Sequence, residues 1–235
     1  MRERRYRSRR WLRSHDSDRH RGKGGVGKST VAYNLAAQLD GVVVDGDLAM
    51  ADLPAGHGPD LHDVLAGRAT PAEAVREDGP VTMVPCGRTL AGARAVDPTL
   101  LADTLETLDR THRWVVVDSP AGLRADVGLP LAVADAAVLV TTDSTAALAD
   151  ALRVRELARE LDAGLCRVVL NRVRSDPSTA TVADRFGAPV VTVPDSDALA
   201  TAQRHGSPVD RTAPDSPAAT AFENLAAAVY SCSSV

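Results

Sequence analysis

The stretch "RHRGKGGVGKSTVAYNLAAQLD", residues 19–40, decides the fold. Gly22, Gly27, Lys28 and Ser29 fit the pattern Gly, any four residues, Gly, Lys, then Ser or Thr. Glycines at 22, 24, 25 and 27 let the backbone curl so that several N–H groups aim at one anion, with the positive end of the following helix behind them. In such a loop Lys28 reaches the β- and γ-phosphates and Ser29 places its hydroxyl on Mg²⁺, while Thr30 contacts the α-phosphate or simply opens the helix. The competing reading is a Gly-rich turn with two solvated lysines. Lys23 and Lys28 are the only lysines in the chain, which otherwise uses Arg for positive charge. A compact ammonium acts as a point charge against phosphate in a way that a broad planar guanidinium in a tight loop does not.

Working outward, apolar β-branched runs alternate with helical patterns. Strands are expected at 41–47, 81–87, 113–120, 136–143, 166–173 and 188–195, most of them continuous apolar runs bounded by Asp, Asn, Pro or Gly, as for strands buried on both faces. Helices are expected at 29–39, 98–109, 145–161, 178–186, 196–204 and 217–229, with two short ones in "LHDVLAGRATPAEAV" (61–75) and a surface loop at 54–60. This alternation predicts right-handed βαβ crossovers and an α/β, doubly wound, mostly parallel sheet flanked by helices on both faces, and the phosphate-loop pattern at its start makes the expected architecture that of a P-loop NTPase. Function then collects at the carboxyl ends of the strands, where this sequence keeps its Asp, Asn and Pro.

Composition agrees. The 235 residues are 44% hydrophobic but only 3% aromatic, so the core is built from Ala, Val and Leu. No apolar run approaches the roughly 20 residues needed to cross a bilayer and no secretory leader is visible, so a cytoplasmic location is expected. Cys86, Cys166 and Cys232 lack paired metal spacing and are expected to be reduced. Charge is divided: residues 1–21 hold nine Arg against Glu3, Asp16 and Asp18, a local excess of +6, leaving −10 over the other 214 residues. The expected division is a basic segment 1–21, disordered or mis-translated, a phosphate-loop domain 22–230, and a polar tail 231–235.

The lysine inside the loop, Lys23 of "GKGGVGKST", gives the sequence its resemblance to the deviant Walker A ATPases of the MinD/ParA family. The resemblance extends from Gly22 to about Val229 and includes "VVVDGDLAMADL", "RWVVVDSPAGL", "VVLNRV" and "VTVPDSDALATAQRHGSPV". It implies ATP and Mg²⁺ as ligands and an ATP-dependent homodimer in which Lys23 reaches the partner's phosphates, as an arginine finger does. It implies that Asp47 is the switch I carboxylate orienting the attacking water, with Asp45 supporting the loop or the metal shell. Asp118 takes the outer shell of Mg²⁺, and Pro120, Ala121 and Gly122 form switch II. Asn171 is assigned to adenine, and Pro194 and Asp195 flank the base or serve as turn formers.

The catalytic set so implied is Lys23, Lys28 and Asp47, and the metal set is Ser29, Asp47 and Asp118. The nucleotide set runs from Gly22, Lys23, Gly24, Gly25, Val26 and Gly27 through Lys28, Ser29 and Thr30 to Asn171, Pro194 and Asp195. A slow ATP-hydrolysing positioning switch follows, for a division site or for DNA partition, with an activating partner protein.

In family members a short apolar strand leads into the phosphate loop, and here "RSRRWLRSHDSDRH" supplies almost none of the needed residues, so the expectation is that either another segment fills the slot or this N-terminus is not what the fold was built around. The Arg-rich arm also supports a second reading, a nucleic-acid-binding protein with a degenerate ATP site, and DNA is carried as a possible partner. An iron–sulfur relative needs a Cys within switch II, and none follows Asp118 there. Direct membrane binding is not expected, since "AFENLAAAVYSCSSV" has no Lys or Arg.

Overall fold

A computed structural model describes residues 11–12 (backbone), 25–48, 53, 57–120, 130–175 and 178–232. In chain order the elements are β1 (Trp11–Leu12), α1 (Lys28–Gln38), β2 (Val42–Asp45), α2 (Leu61–Leu65), α3 (Pro71–Ala74), β3 (Met83–Val84), α4 (Leu90–Ala95), a 3₁₀ turn (Pro98–Leu100), α5 (Leu101–Thr111), β4 (Val115–Asp118), β5 (Ala136–Thr141), α6 (Thr145–Glu160), β6 (Gly164–Val173), α7 (Thr179–Phe186), β7 (Val190–Pro194), α8 (Asp197–Arg204), α9 (Val209–Thr212) and α10 (Pro217–Cys232).

Two parallel ladders result, β1-β4-β2-β3 and β5-β6-β7, and β1 also comes alongside β5. The two-residue period of the strands sorts their side chains between two helical layers. Val43 and Val116 enter one core with Val31, Leu35 and Ala36 of α1 and Phe222, Leu225 and Val229 of α10, which Val138, Val140 and Val169 of the second ladder extend. Their neighbours Val42, Val44, Val115 and Val117 face the other way, against Leu61 and Leu65 of α2 and Leu101, Leu105 and Leu108 of α5. Leu139 and Val168 likewise turn to Val154 of α6 and Phe186 of α7. Helices therefore cover both faces, and the sheet is doubly wound as the alternation of elements requires.

In the strand slot before the phosphate loop the Arg-rich arm itself contributes two residues, an outcome outside both expected alternatives. Trp11 and Leu12 pair in parallel with Val115 and Val116. They are the one adjacent pair of apolar residues in the Arg-rich arm, and a ladder asks only for main-chain N–H and C=O groups, so two residues suffice to begin it. The rest of 1–21 lies outside the described residues.

Three hydrogen bonds and the packing of Leu35 fix α1, the helix that follows the loop. Asn34 donates through Nδ2 to the Thr30 carbonyl (2.8 Å) and accepts the Val209 N–H at Oδ1 (2.8 Å), and the Tyr33 hydroxyl donates to the Gly206 carbonyl (2.7 Å). Burial raises the Tyr33 pKa against the opposing charge of Arg211, so the phenol stays a donor.

Candidate nucleotide site

The site is built where the strands end. Gly27 stands at φ +93°, the left-handed region, immediately before α1. A Cβ on Gly27 would sit 2.2 Å from Asn171 Nδ2, so the position needs glycine for its conformation and for room. Asn171, 145 residues away near the end of β6, donates its amide to the Val26 carbonyl at 2.7 Å. Val26 itself is buried in the core shared with α1. The loop is thereby anchored from behind by an apolar side chain and from the side by an amide. Lys28 is largely buried at the head of α1, and Ser29 and Thr30 are half-buried beside it. Gly22, Lys23 and Gly24 lie outside the described residues, as do Ala121 and Gly122.

Asp45 and Asp118 close β2 and β4 side by side in register, and both are buried. The Gly46 N–H continues the ladder onto the Asp118 carbonyl (2.7 Å). Asp45 accepts the Asp47 N–H at Oδ1 (3.3 Å) and the Leu53 N–H at Oδ2 (3.1 Å), which makes it a support of the loop. Those two bonds hold the half-exposed Asp47 at the sheet edge. A cavity of about 280 Å³ opens on Ser29 and Thr30, with Leu53 and Arg88 on its wall.

The base-flanking candidates divide. Pro194 is in register with Val173, two residues beyond Asn171, and lines an open groove of about 490 Å³. The Asp195 carboxylate pairs with Arg174 at 2.8 Å on the surface, and its N–H bonds the Val173 carbonyl (3.0 Å), so locally it completes a turn.

Buried polar atoms test whether a ligand fits. Among the described residues, Asn171 Oδ1 beside the loop and Ser119 Oγ next to Asp118 are buried without a hydrogen-bond partner. Such atoms cost stability unless something polar satisfies them. Ser119 Oγ can donate to a phosphate or bond a metal-bound water, and Asn171 Oδ1 can accept from a base amine or a water, so the two atoms together fit a nucleotide with Mg²⁺. Sequence reasoning missed Ser119, whose only signal is adjacency to Asp118. It also missed His62 of α2, whose ring bonds the Leu48 carbonyl just after Asp47 and which carries no sequence signal beyond its place in an apolar helix.

A parallel α/β sheet that carries a glycine-rich loop into a buried helix, beside paired strand-end aspartates, defines a P-loop nucleotide-binding protein. The sequence profile of the CobQ/CobB/MinD/ParA nucleotide binding domain matches residues 21–209. An uncharacterized ATP-binding protein of Methanocaldococcus jannaschii is 31% identical over 222 residues, covering 88% of this chain and 84% of that one. The crystal structure of the cell division ATPase MinD of Pyrococcus furiosus superposes with a TM-score of 0.82 at 29% identity, over 95% of this chain and 99% of that one. The septum site-determining protein MinD of Pyrococcus horikoshii, in complex with Mg-ADP, gives 0.81 at 27% identity, over 92% and 94% of the two chains. The chain belongs to the MinD/ParA family of P-loop ATPases.

Proposed function

We propose that this chain is an ATP-binding, slowly ATP-hydrolysing dimerisation switch that works in intracellular positioning. The observation that carries the reading is the loop cradle: Gly27 in left-handed geometry, Val26 held by Asn171, and Lys28 and Ser29 opening a helix packed on β4, which ends at Asp118. Bound Mg²⁺ would neutralise charge on the terminal phosphates. Ser29, with Asp118 behind it, would hold that ion. Lys28 supplies a fixed positive charge against the β- and γ-phosphates. Asp47, placed by Asp45, accepts a hydrogen bond from the attacking water and so orients it. Lys23 completes the site of a second copy, which couples turnover to dimerisation. Names of relatives that refer to cell division and the septum site support a positioning role and an accessory partner protein.

Calorimetric titration with Mg·ATP tests the reading. The expected result is saturable heat with the wild type and none with Lys28→Ala, whose far-ultraviolet spectrum stays unchanged. Absence of heat from folded wild-type protein overturns it.

A further inference from the structure

His62 lies on α2, outside every motif of the phosphate site, and is 2% exposed. Its Nε2 is 3.0 Å from the Leu48 carbonyl and 3.3 Å from Cys86 Sγ. Bonding to a carbonyl requires a proton on Nε2, and in the neutral ring Nδ1 is then an acceptor. Nδ1 is buried and finds no hydrogen-bond partner among the described residues. Glycines shape its seat: a Cβ at Gly87 would lie 2.3 Å from Nδ1, and one at Gly92 2.8 Å. Three segments, α2, the turn after β3 and α4, thus meet around one imidazole.

An orphaned ring nitrogen makes this an expensive side chain to bury, at about 1–3 kcal/mol. An apolar residue of similar size would serve core stability better. What the ring supplies to the main chain is the bond to the Leu48 carbonyl, beside its contact with Cys86, and Leu48 directly follows Asp47. Asp45 separately holds the Asp47 and Leu53 amides.

We propose that His62 is a positioning residue for Asp47: the Nε2–H of the ring fixes the Leu48 carbonyl while Asp45 fixes the Asp47 and Leu53 amides, so the main chain that carries the switch carboxylate is held at its own amide and at the next carbonyl. The catalytic half of this inference rests on Asp47 being the water-orienting group. The structural half does not. Because a carboxylate misplaced by an ångström loses much of its orienting effect, the loss falls on turnover and leaves nucleotide affinity nearly unchanged.

Glutamine can place a donor where Nε2 stood, whereas asparagine is too short and leucine has none. The test compares His62→Gln, His62→Asn and His62→Leu. Hydrogen–deuterium exchange in nucleotide-free protein should show the Asp47 and Leu53 amides losing protection in the Asn and Leu variants and keeping it in the Gln variant. With Mg·ATP, kcat should fall on the order of tenfold in Asn and Leu, with KM within about twofold, and Gln should restore it. Should His62→Leu not fold, the Gln and Asn pair decides alone. Wild-type protection at 47 and 53 in His62→Asn, or kcat equal across the three variants, overturns the proposal. If wild-type protein fails to bind Mg·ATP, the functional reading fails, and the exchange comparison still judges the grip of His62 on the loop.

Discussion

The side-chain amide of Asn171 is bonded to the main-chain carbonyl of Val26 at 2.7 Å, joining the end of β6 to the phosphate loop. One Asn amide cannot direct the same N–H at both the loop and an adenine ring, but Oδ1 has no protein partner among the described residues and can accept. Asn171→Ala removes the anchor and leaves the buried Val26 carbonyl without that donor. The expected cost is about 1–3 kcal/mol in urea unfolding, together with weaker Mg·ATP binding. Asn171→Asp, which replaces the donor with an acceptor facing a carbonyl, should be worse than Ala on both measures.

Gly27→Ala separates conformation from space. Both Gly27 (φ +93°) and Gly67 (φ +68°) are left-handed, but a Cβ at Gly67 meets nothing within 4 Å, while at Gly27 it meets Asn171 Nδ2. Gly67→Ala should therefore cost about 1 kcal/mol, the conformational part alone. Gly27→Ala should cost more and abolish ATP binding, read by urea midpoints and calorimetry on the same two proteins. Equal midpoints would mean that the contact with Asn171 carries no weight.

These contacts mark the limit of what the chain shows when read as letters. Strand runs such as "GVVVDGD" and "RWVVVDSP" were legible because burial on both faces demands unbroken apolar sequence, and the structure keeps their centres, Val42–Asp45 and Val115–Asp118, while trimming the ends. The helix expected at 98–109 begins instead as a 3₁₀ turn, with Pro98 at its first position and Asp97 capping Thr99, and becomes α-helical from Leu101 to Thr111. Helix α4 was invisible, since Leu90 is 67% exposed and "LAGARA" has no apolar face; it is held by the Thr89 cap on Gly92. β1 was hidden by the charges around Trp11 and Leu12. Within the site, local spacing revealed Lys28, Ser29 and the strand-end aspartates. The grip of Asn171 on Val26 and of His62 on Leu48 depends on how distant segments pack, and no spacing encodes that.

Asp45 and Asp47 look alike in "VVVDGDLAM" but should fail differently. Asp45 is fully buried and accepts two main-chain N–H groups, so Asp45→Ala removes the acceptor of both and should cost about 2–4 kcal/mol of stability. Asp47→Ala leaves those amides in place. It should keep the wild-type midpoint and Mg·ATP affinity, lose turnover, and remain a dimer in ATP when measured by light scattering. A monomeric Asp47→Ala protein with wild-type turnover contradicts the role assigned to Asp47.

The three thiols are all free, and their order of reaction with iodoacetamide follows from burial. Desolvation, with the charges of Asp45, Asp60 and Asp47 nearby, pushes the Cys86 thiol far above its ordinary range. Burial and a hydrogen bond with Cys232 push Cys166 up to about 12. Cys232, half-buried in the last turn of α10, should be alkylated first at mildly alkaline pH, and Cys86 and Cys166 only on unfolding. Peptide mass spectrometry over a time course checks the order, and early labelling of Cys86 would contradict the closed packing around His62.

His112 provides a pH dependence outside the nucleotide site. It follows α5 directly, and burial lowers its pKa from 6.5 against the opposing attraction of Glu77. The unfolded chain therefore takes up a proton at higher pH than the folded one. Between the lowered value and 6.5 the unfolded state binds more protons, so stability rises with pH across that window. The contribution of the neutral imidazole is complete above about 6.5 and is lost as pH falls through the folded pKa. His112→Gln removes the titration. Urea midpoints measured from about pH 5 to 7.5 should rise more steeply in wild type than in the variant, whatever the nucleotide site does, and parallel curves would show that His112 is solvated in the folded protein.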